Sequence, residues 1–109
     1  MTMEIKQHDL KPDLIITVFD GAQLADLTGV VSWRILGQLR GVLVLDAAPT
    51  SVVVDPLKWK AVLTRAWVSP ETAVTGDMRI EVEAMWPGGK PQTFPASSTE
   101  TVRINADLG

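Results

Sequence analysis

The residues that could take part in acid–base or nucleophilic catalysis are few in this sequence. His8 is the only histidine, and it lies in a polar segment near the start of the chain. A Ser-His-Asp arrangement would have to use this histidine. Because its neighbours in sequence are polar, a solvated surface histidine is the favoured interpretation. Glu81 and Glu83 point to the same side of a regular strand, which favours a solvated strand face over an acid–base pair. We therefore predict that the protein is not an enzyme.

Metal and cofactor chemistry is not indicated either. The chain has no cysteine, which removes thiolate nucleophiles, iron–sulfur clusters and thiolate zinc sites. A single histidine gives no His-based zinc pattern, and no calcium-binding loop or phosphate-binding glycine loop is recognisable. The sequence predicts no bound metal and no cofactor.

The four tryptophans are the side chains best suited to contact a ligand, because indole rings stack on sugars and bases. Trp33 and Trp86 fall on the apolar faces of alternating segments, so we expect both to pack in the core. Trp59 stands between two lysines at the start of a strand, and we expect it to be exposed. Trp67 is the second candidate exposed aromatic. Together, Trp59 and Trp67 would form a platform for carbohydrate.

Composition restricts the remaining classes of function. The length of 109 residues fits one domain, and 46% hydrophobic residues are enough for a core. A formal net charge of −3 argues against binding to nucleic acid or to an anionic membrane. No apolar run is long enough to cross a bilayer, and no signal peptide is indicated. We predict a single domain over residues 1–109, with residues 1–10 as a flexible arm.

Short apolar segments separated by turn residues predict an all-β fold. Residues 79–86 alternate clearly between apolar and polar side chains, and residues 30–36 do so as well. Leu14–Phe19 is rich in β-branched residues and ends at an Asp-Gly pair, which is a strong turn signal. About seven strands at spacings of roughly 8–12 residues predict one immunoglobulin-like antiparallel β-sandwich.

The segments 42–45 and 51–54 are apolar on both faces, whereas a strand of a sandwich normally has one face in water. Either these segments form an unusually buried hairpin or another subunit covers part of that hairpin, and we favour the second interpretation. The candidate interface residues are Val42, Leu43, Val44, Leu45, Val52, Val53 and Val54.

The order of four motifs resembles a family of small immunoglobulin-like tailed-phage virion proteins, the baseplate upper protein N-terminal domain group. Residues 19–29 contain an Asp-Gly pair followed by a DLTG sequence, as in the opening of that family. Residues 67–78 are similar to its W-x-x-x-D-T-A-x-x-G-x-Y segment, with Glu71 in place of Asp and Met78 in place of Tyr. Residues 81–95 and 102–108 resemble its last strands, so the resemblance spans residues 11–108.

The resemblance implies structural roles for the motif residues. Asp26, Leu27, Thr28 and Gly29 would form a side-chain-capped turn that sets the register of the next strand, and Gly76 would suit a tight turn.

The resemblance also implies a non-catalytic adaptor or decoration module at the baseplate, neck or capsid of a tailed phage. Its partners would be other virion proteins and further copies of itself in a symmetric assembly. It would reside in the host cytoplasm during assembly and then in the virion. The alternative is a module that binds carbohydrate or a host surface, which requires exposed Trp59 and Trp67.

Overall fold

A computed structural model describes residues 2–19, 27–55, 60–95 and 101–107, and nine strands lie in these parts of the chain. One short 3-10 helix, Leu27–Gly29, precedes the third strand. The strands form two sheets, which we call the large sheet and the small sheet.

The large sheet has six strands. They are β1 (Thr2–Lys6), β3 (Ser32–Leu39), β4 (Val42–Ala47), β7 (Gly76–Trp86), β8 (Lys90–Pro95) and β9 (Thr101–Asn105). Their order is β1-β9-β7-β3-β4, and β8 pairs with the second half of β7. Arg40 and Gly41 join β3 to β4 with φ values of 53° and 78°, as a two-residue hairpin turn with two positive φ angles requires.

The small sheet has three strands, and all of its pairs are antiparallel. They are β2 (Leu14–Phe19), β5 (Ser51–Asp55) and β6 (Lys60–Arg65), in the order β2-β6-β5. β6 is therefore central, and β2 and β5 are the two outer strands of this sheet.

The strand order is that of an immunoglobulin-like sandwich. In the variable-type fold, strands G, F, C and C′ are neighbours in one sheet, and strands B, E and D are neighbours in the other. The orders β9-β7-β3-β4 and β2-β6-β5 correspond to these two sets. The predicted all-β, immunoglobulin-like sandwich is confirmed.

The start of the chain differs from the sequence-based expectation. Residues 1–10 were expected to form a flexible arm, but Thr2–Lys6 is β1 and pairs in parallel with β9. The physical reason is an alternation that sequence inspection overlooked, because Met3 and Ile5 both pack inward and Ile5 is buried. The fold therefore contains more than seven strands, and its large sheet is mixed and not purely antiparallel.

The core lies between the inner faces of the two sheets. Alternation along β7 is as predicted: Ile80 and Val82 are buried, whereas Arg79 and Glu81 are exposed. Burying an aliphatic side chain of this size contributes about 1.5–3 kcal/mol, so this layer is the main source of stability. The buried apolar residues are Ile5, Leu14, Ile16, Val18, Leu27, Ile35, Leu39, Leu45, Ala61, Leu63, Trp67, Met78, Ile80, Val82, Ala84, Phe94, Val102 and Ile104.

Candidate functional site

The outer face of the large sheet is covered with charged side chains that pair with one another. Arg34 donates from Nε and Nη2 to the two carboxylate oxygens of Asp46, and its Nη1 lies 3.8 Å from Oε1 of Glu83. Arg103 Nε donates to Asp77 Oδ1 at 3.0 Å. These side chains are exposed, so the pairs contribute little to stability, but they make this face hydrophilic.

These ion pairs shift pKa values in the expected directions. The hydrogen bond from Arg34 lowers the pKa of Asp46. The hydrogen bond to Asp46, followed by the charge of that carboxylate, raises the pKa of Arg34. Asp77 raises the pKa of Arg103 in the same way. The Asp46 carboxylate is therefore held in its charged form.

The outer face of the small sheet is different in character. Alternation along β2 and β6 buries Leu14, Ile16 and Leu63 and turns the intervening residues outward. The strand registers arrange the outward residues in three rows across the sheet: Ile15, Thr64 and Ser51; then Thr17, Val62 and Val53; then Phe19, Lys60 and Asp55. We call these nine residues the small-sheet outer face.

Large apolar side chains on this face are open to water. Val53 is 67% exposed, Ile15 53% and Phe19 47%. The first two rows contain no charged residue, and the third contains Lys60 beside Asp55. Exposed apolar side chains grouped on one sheet face can mark a site that another macromolecule covers.

The predicted interface between residues 42 and 54 is corrected by the topology. β4 pairs with β3, and β5 pairs with β6 in the other sheet, so the two segments do not form a hairpin. Leu43 lies opposite Gln38 on the large sheet, whereas Val53 lies on the small-sheet outer face. Sequence alternation cannot distinguish a hairpin from a crossing between sheets, because both contain two apolar segments joined by a turn.

The seven predicted interface residues therefore differ in their surroundings. Leu45 belongs to the core at 2% exposure. Val42 and Leu43 are exposed on the large sheet, and Val53 is exposed on the small one. The half-buried members that pack against the core are Val44, Val52 and Val54.

The predicted turn motif is described only in part. Asp26 lies outside the described residues. Leu27, Thr28 and Gly29 form the 3-10 helix, in which Leu27 is buried and its carbonyl accepts a hydrogen bond from the Val30 N–H at 3.2 Å. Pairing with β7 begins directly after this turn.

Gly76 is the first residue of β7 and does not form a tight turn. Its φ of 134° is one that residues with a side chain rarely adopt. Its backbone pairs with that of Ile104.

Only one of the two tryptophans predicted to be exposed lies in the described part of the chain, and it is not available for the predicted platform. Trp67 is buried at 4% exposure, and its Nε1 donates a hydrogen bond to the Pro12 carbonyl at 3.0 Å. The prediction of an exposed Trp67 is wrong, because a partner far away in sequence satisfies its N–H within the fold. Trp59 lies outside the described residues.

The other two tryptophans are half-buried at the edge of the core, close to the expected positions. The Trp33 and Phe94 rings are 6.3 Å apart. The Trp86 Nε1 donates to Gln92 Oε1 at 2.8 Å. Both side chains therefore close the side of the sandwich next to β8.

A polar cluster after β6 was missed by the sequence analysis. Arg65 Nη2 donates to Glu71 Oε2 at 2.7 Å, and Glu71 Oε1 accepts the Val68 N–H at 2.7 Å. Thr72 is buried, and its hydroxyl donates to the Asp9 carbonyl at 2.9 Å. Motif order marked Glu71 and Thr72, but the sequence does not show that Glu71 binds the end of β6 or that Thr72 binds the connection between β1 and β2.

No catalytic or metal-binding arrangement is found among the described residues. His8 is exposed, and its backbone N–H donates to the Thr72 carbonyl. Glu81 is exposed, and Glu83 faces Arg34. Within the described ranges, no group of three or more histidine or acidic residues could hold a metal ion, and no helix is long and apolar enough to cross a membrane.

Fold and surface together define an immunoglobulin-like β-sandwich with one charged outer face and a second outer face on which large apolar side chains are exposed among hydroxyl groups. Comparison of the chain with protein-family models, with curated proteins and with solved structures finds no match.

Proposed function

We propose that this chain is a non-catalytic structural component of a tailed-phage virion. It acts as an adaptor or decoration module at the baseplate, neck or capsid, in several symmetric copies beside other virion proteins. The proposal rests on the resemblance of its motifs to small phage proteins and on one structural observation. That observation is the group of exposed large apolar side chains on the outer face of the small sheet.

Ile15, Phe19 and Val53 are the large apolar side chains that are exposed on this face. Each of these side chains is about half exposed or more, and complete burial of one contributes about 1.5–3 kcal/mol relative to exposure. A folded domain is stable by only about 5–15 kcal/mol. Burial of these side chains against a partner would therefore add a substantial free energy to the stability of the assembled state. Covering this face in an assembly also removes a site of non-specific aggregation.

The alternative function, carbohydrate binding, has weaker support. It requires Trp59 and Trp67 on the surface, and Trp67 uses its indole N–H inside the fold. A stacking platform needs an accessible ring face. The buried Trp67 therefore favours the assembly role over the carbohydrate-binding role.

Gold-labelled antibody against the purified chain tests the proposal by electron microscopy of phage particles. The particles are those produced by the host whose genome contains this sequence. We expect label at one defined position of the particle, and pre-immune antibody serves as the control. Label that never exceeds this control on intact particles contradicts the proposal.

A further inference from the structure

We infer that the small-sheet outer face binds a second copy of this chain, face to face, about a two-fold axis that runs across the strands. The inference rests on the proposed function, because it names the partner that covers this surface. It follows from the three rows of outward residues and from how they match under a two-fold rotation. In the aligned class of face-to-face sheet packing, the strands of the two sheets stay roughly parallel or antiparallel, and a two-fold axis then runs either across the strands or along them.

An axis across the strands through the middle row places the first row of one copy over the third row of the other. Ile15 then lies over the second copy's Phe19. The middle row lies over itself, so Val53 contacts the second copy's Val53, and Val62 contacts its Val62. Every large apolar side chain of this face meets another apolar side chain.

The same axis places a polar side chain of the second copy over each charged group of this face. Lys60 lies over the second copy's Thr64, and Asp55 lies over its Ser51. A hydroxyl can donate to a carboxylate and accept from an ammonium group. Neither charge is therefore buried against an apolar side chain or against a like charge.

The other axis runs along the strands and gives a poorer match. It places the third row of one copy over the third row of the other, so Lys60 meets the second copy's Lys60 on the two-fold axis. Like charges placed opposite each other are unfavourable. Phe19 would also lie over the second copy's Asp55. The arrangement of charges thus selects the axis across the strands.

The large sheet is a poorer surface for the same contact. Its outer face presents Arg34, Asp46 and Glu83 as hydrated ion pairs, and removing such groups from water costs more than their attraction returns. Leu43 is exposed there, but it lies beside Arg79 and Glu81. This difference makes Leu43 a matched control for Val53.

The expected contact is small. Three strands about 4.8 Å apart, with up to six residues at about 3.4 Å each, cover roughly 300 Å² per copy. Roughly 600 Å² for both copies is below the ~1,200 Å² of a stable interface. The isolated protein should therefore associate weakly, and a particle that holds several copies together strengthens the contact through high effective concentration.

Sedimentation equilibrium over a wide concentration range tests the inference with wild type, Val53→Asp and Leu43→Asp. Both substitutions place a carboxylate at an exposed aliphatic position of an outer strand. We expect reversible dimerisation of the wild type, a dissociation constant at least about tenfold higher for Val53→Asp, and little change for Leu43→Asp. A wild type that stays monomeric at all concentrations, or equal weakening by both substitutions, overturns the inference.

Cross-linking gives a readout that does not depend on how Val53→Asp folds. The chain lacks cysteine, so single Val53→Cys and Leu43→Cys variants each have one reactive thiol. Packed sheets are about 10 Å apart, beyond the reach of a direct disulfide, so the probe is a short bis-maleimide. We expect covalent dimer from Val53→Cys and little from Leu43→Cys. Equal yields, or dimer only from Leu43→Cys, overturn the inference.

These results are separable from those on the proposed function. A chain that is present in particles but monomeric and not cross-linked through Val53 leaves the proposed function in place and removes this inference. A chain that dimerises through Val53 but is absent from particles keeps the face-to-face dimer and removes the proposed role in the virion.

Discussion

The sulfur of Met78 occupies the space into which a side chain at Gly37 would project. A Cβ atom at residue 37 would lie 2.5 Å from Met78 Sδ and 3.0 Å from Leu45 Cβ. Gly37 is on β3, and Met78 on β7 lies in the fully buried layer between the sheets. The glycine thus makes room for the long, unbranched side chain of Met78.

Gly37→Ala should therefore destabilise the protein, although alanine normally suits a strand better than glycine. We expect the free energy of unfolding to fall by about 1–3 kcal/mol, as for other overpacked cores. Urea denaturation measures the change. In a Met78→Ala background the same substitution should cost less, because the obstructing sulfur is gone. Equal costs in the two backgrounds would show that Met78 is not the obstruction.

Trp67→Phe tests the burial of the indole and its hydrogen bond to Pro12. The substitution removes the N–H and leaves a carbonyl without its donor, so we expect a loss of about 1–2 kcal/mol. The difference between the fluorescence spectra of wild type and variant isolates the emission of Trp67. That emission should be blue-shifted and poorly quenched by acrylamide. Emission typical of a solvated indole would contradict the buried position.

Thr72→Val tests the hydrogen bond that joins the β6–β7 connection to the β1–β2 connection. Valine has nearly the same shape but cannot donate to the Asp9 carbonyl, so the expected loss is about 1–2 kcal/mol. Thr93 is an exposed residue of β8, and Thr93→Val should change stability by less than about 0.5 kcal/mol. Thermal unfolding compares the two, and equal effects would contradict a specific role for the Thr72 hydroxyl.

The pKa of Asp46 should be below the ordinary aspartate value of about 3.9 because of its hydrogen bonds from Arg34. A carboxylate whose pKa is lower in the folded state contributes stability above the pKa of the unfolded state. It loses this contribution as the pH falls through its folded-state pKa. Carboxyl chemical shifts in an NMR titration measure the pKa directly. In Arg34→Gln the pKa should rise towards the ordinary value, and an unchanged pKa would show that another group causes the shift.

The part of the fold that local alternation determines could be predicted from the sequence. Residues 79–86 show this well, since Ile80, Val82 and Ala84 are buried and the residues between them, Glu81 and Glu83, are more exposed. The all-β class and the immunoglobulin-like arrangement followed from several such segments and their spacing. These features depend on the period of two along a strand, which is visible in a single sequence.

What could not be predicted depends on partners distant in sequence. The parallel pairing of β1 with β9 joins the two ends of the described chain, and the hydrogen bond of Trp67 reaches 55 residues back to Pro12. Alternation groups Ile15 with Phe19 on one face of β2, but only the pairing with β6 and β5 adds Val53 to that surface. The candidate surface is a property of the assembled sheet, so no single segment of sequence shows it.

Quantitative mass spectrometry of purified phage particles measures whether this chain is part of the particle. We expect peptides of this chain at a constant, multiple-copy ratio to a major structural protein across independent preparations. A non-structural protein of the same phage, abundant in the lysate, serves as the control for contamination. A chain that is as depleted from the particles as this control is not a component of the virion.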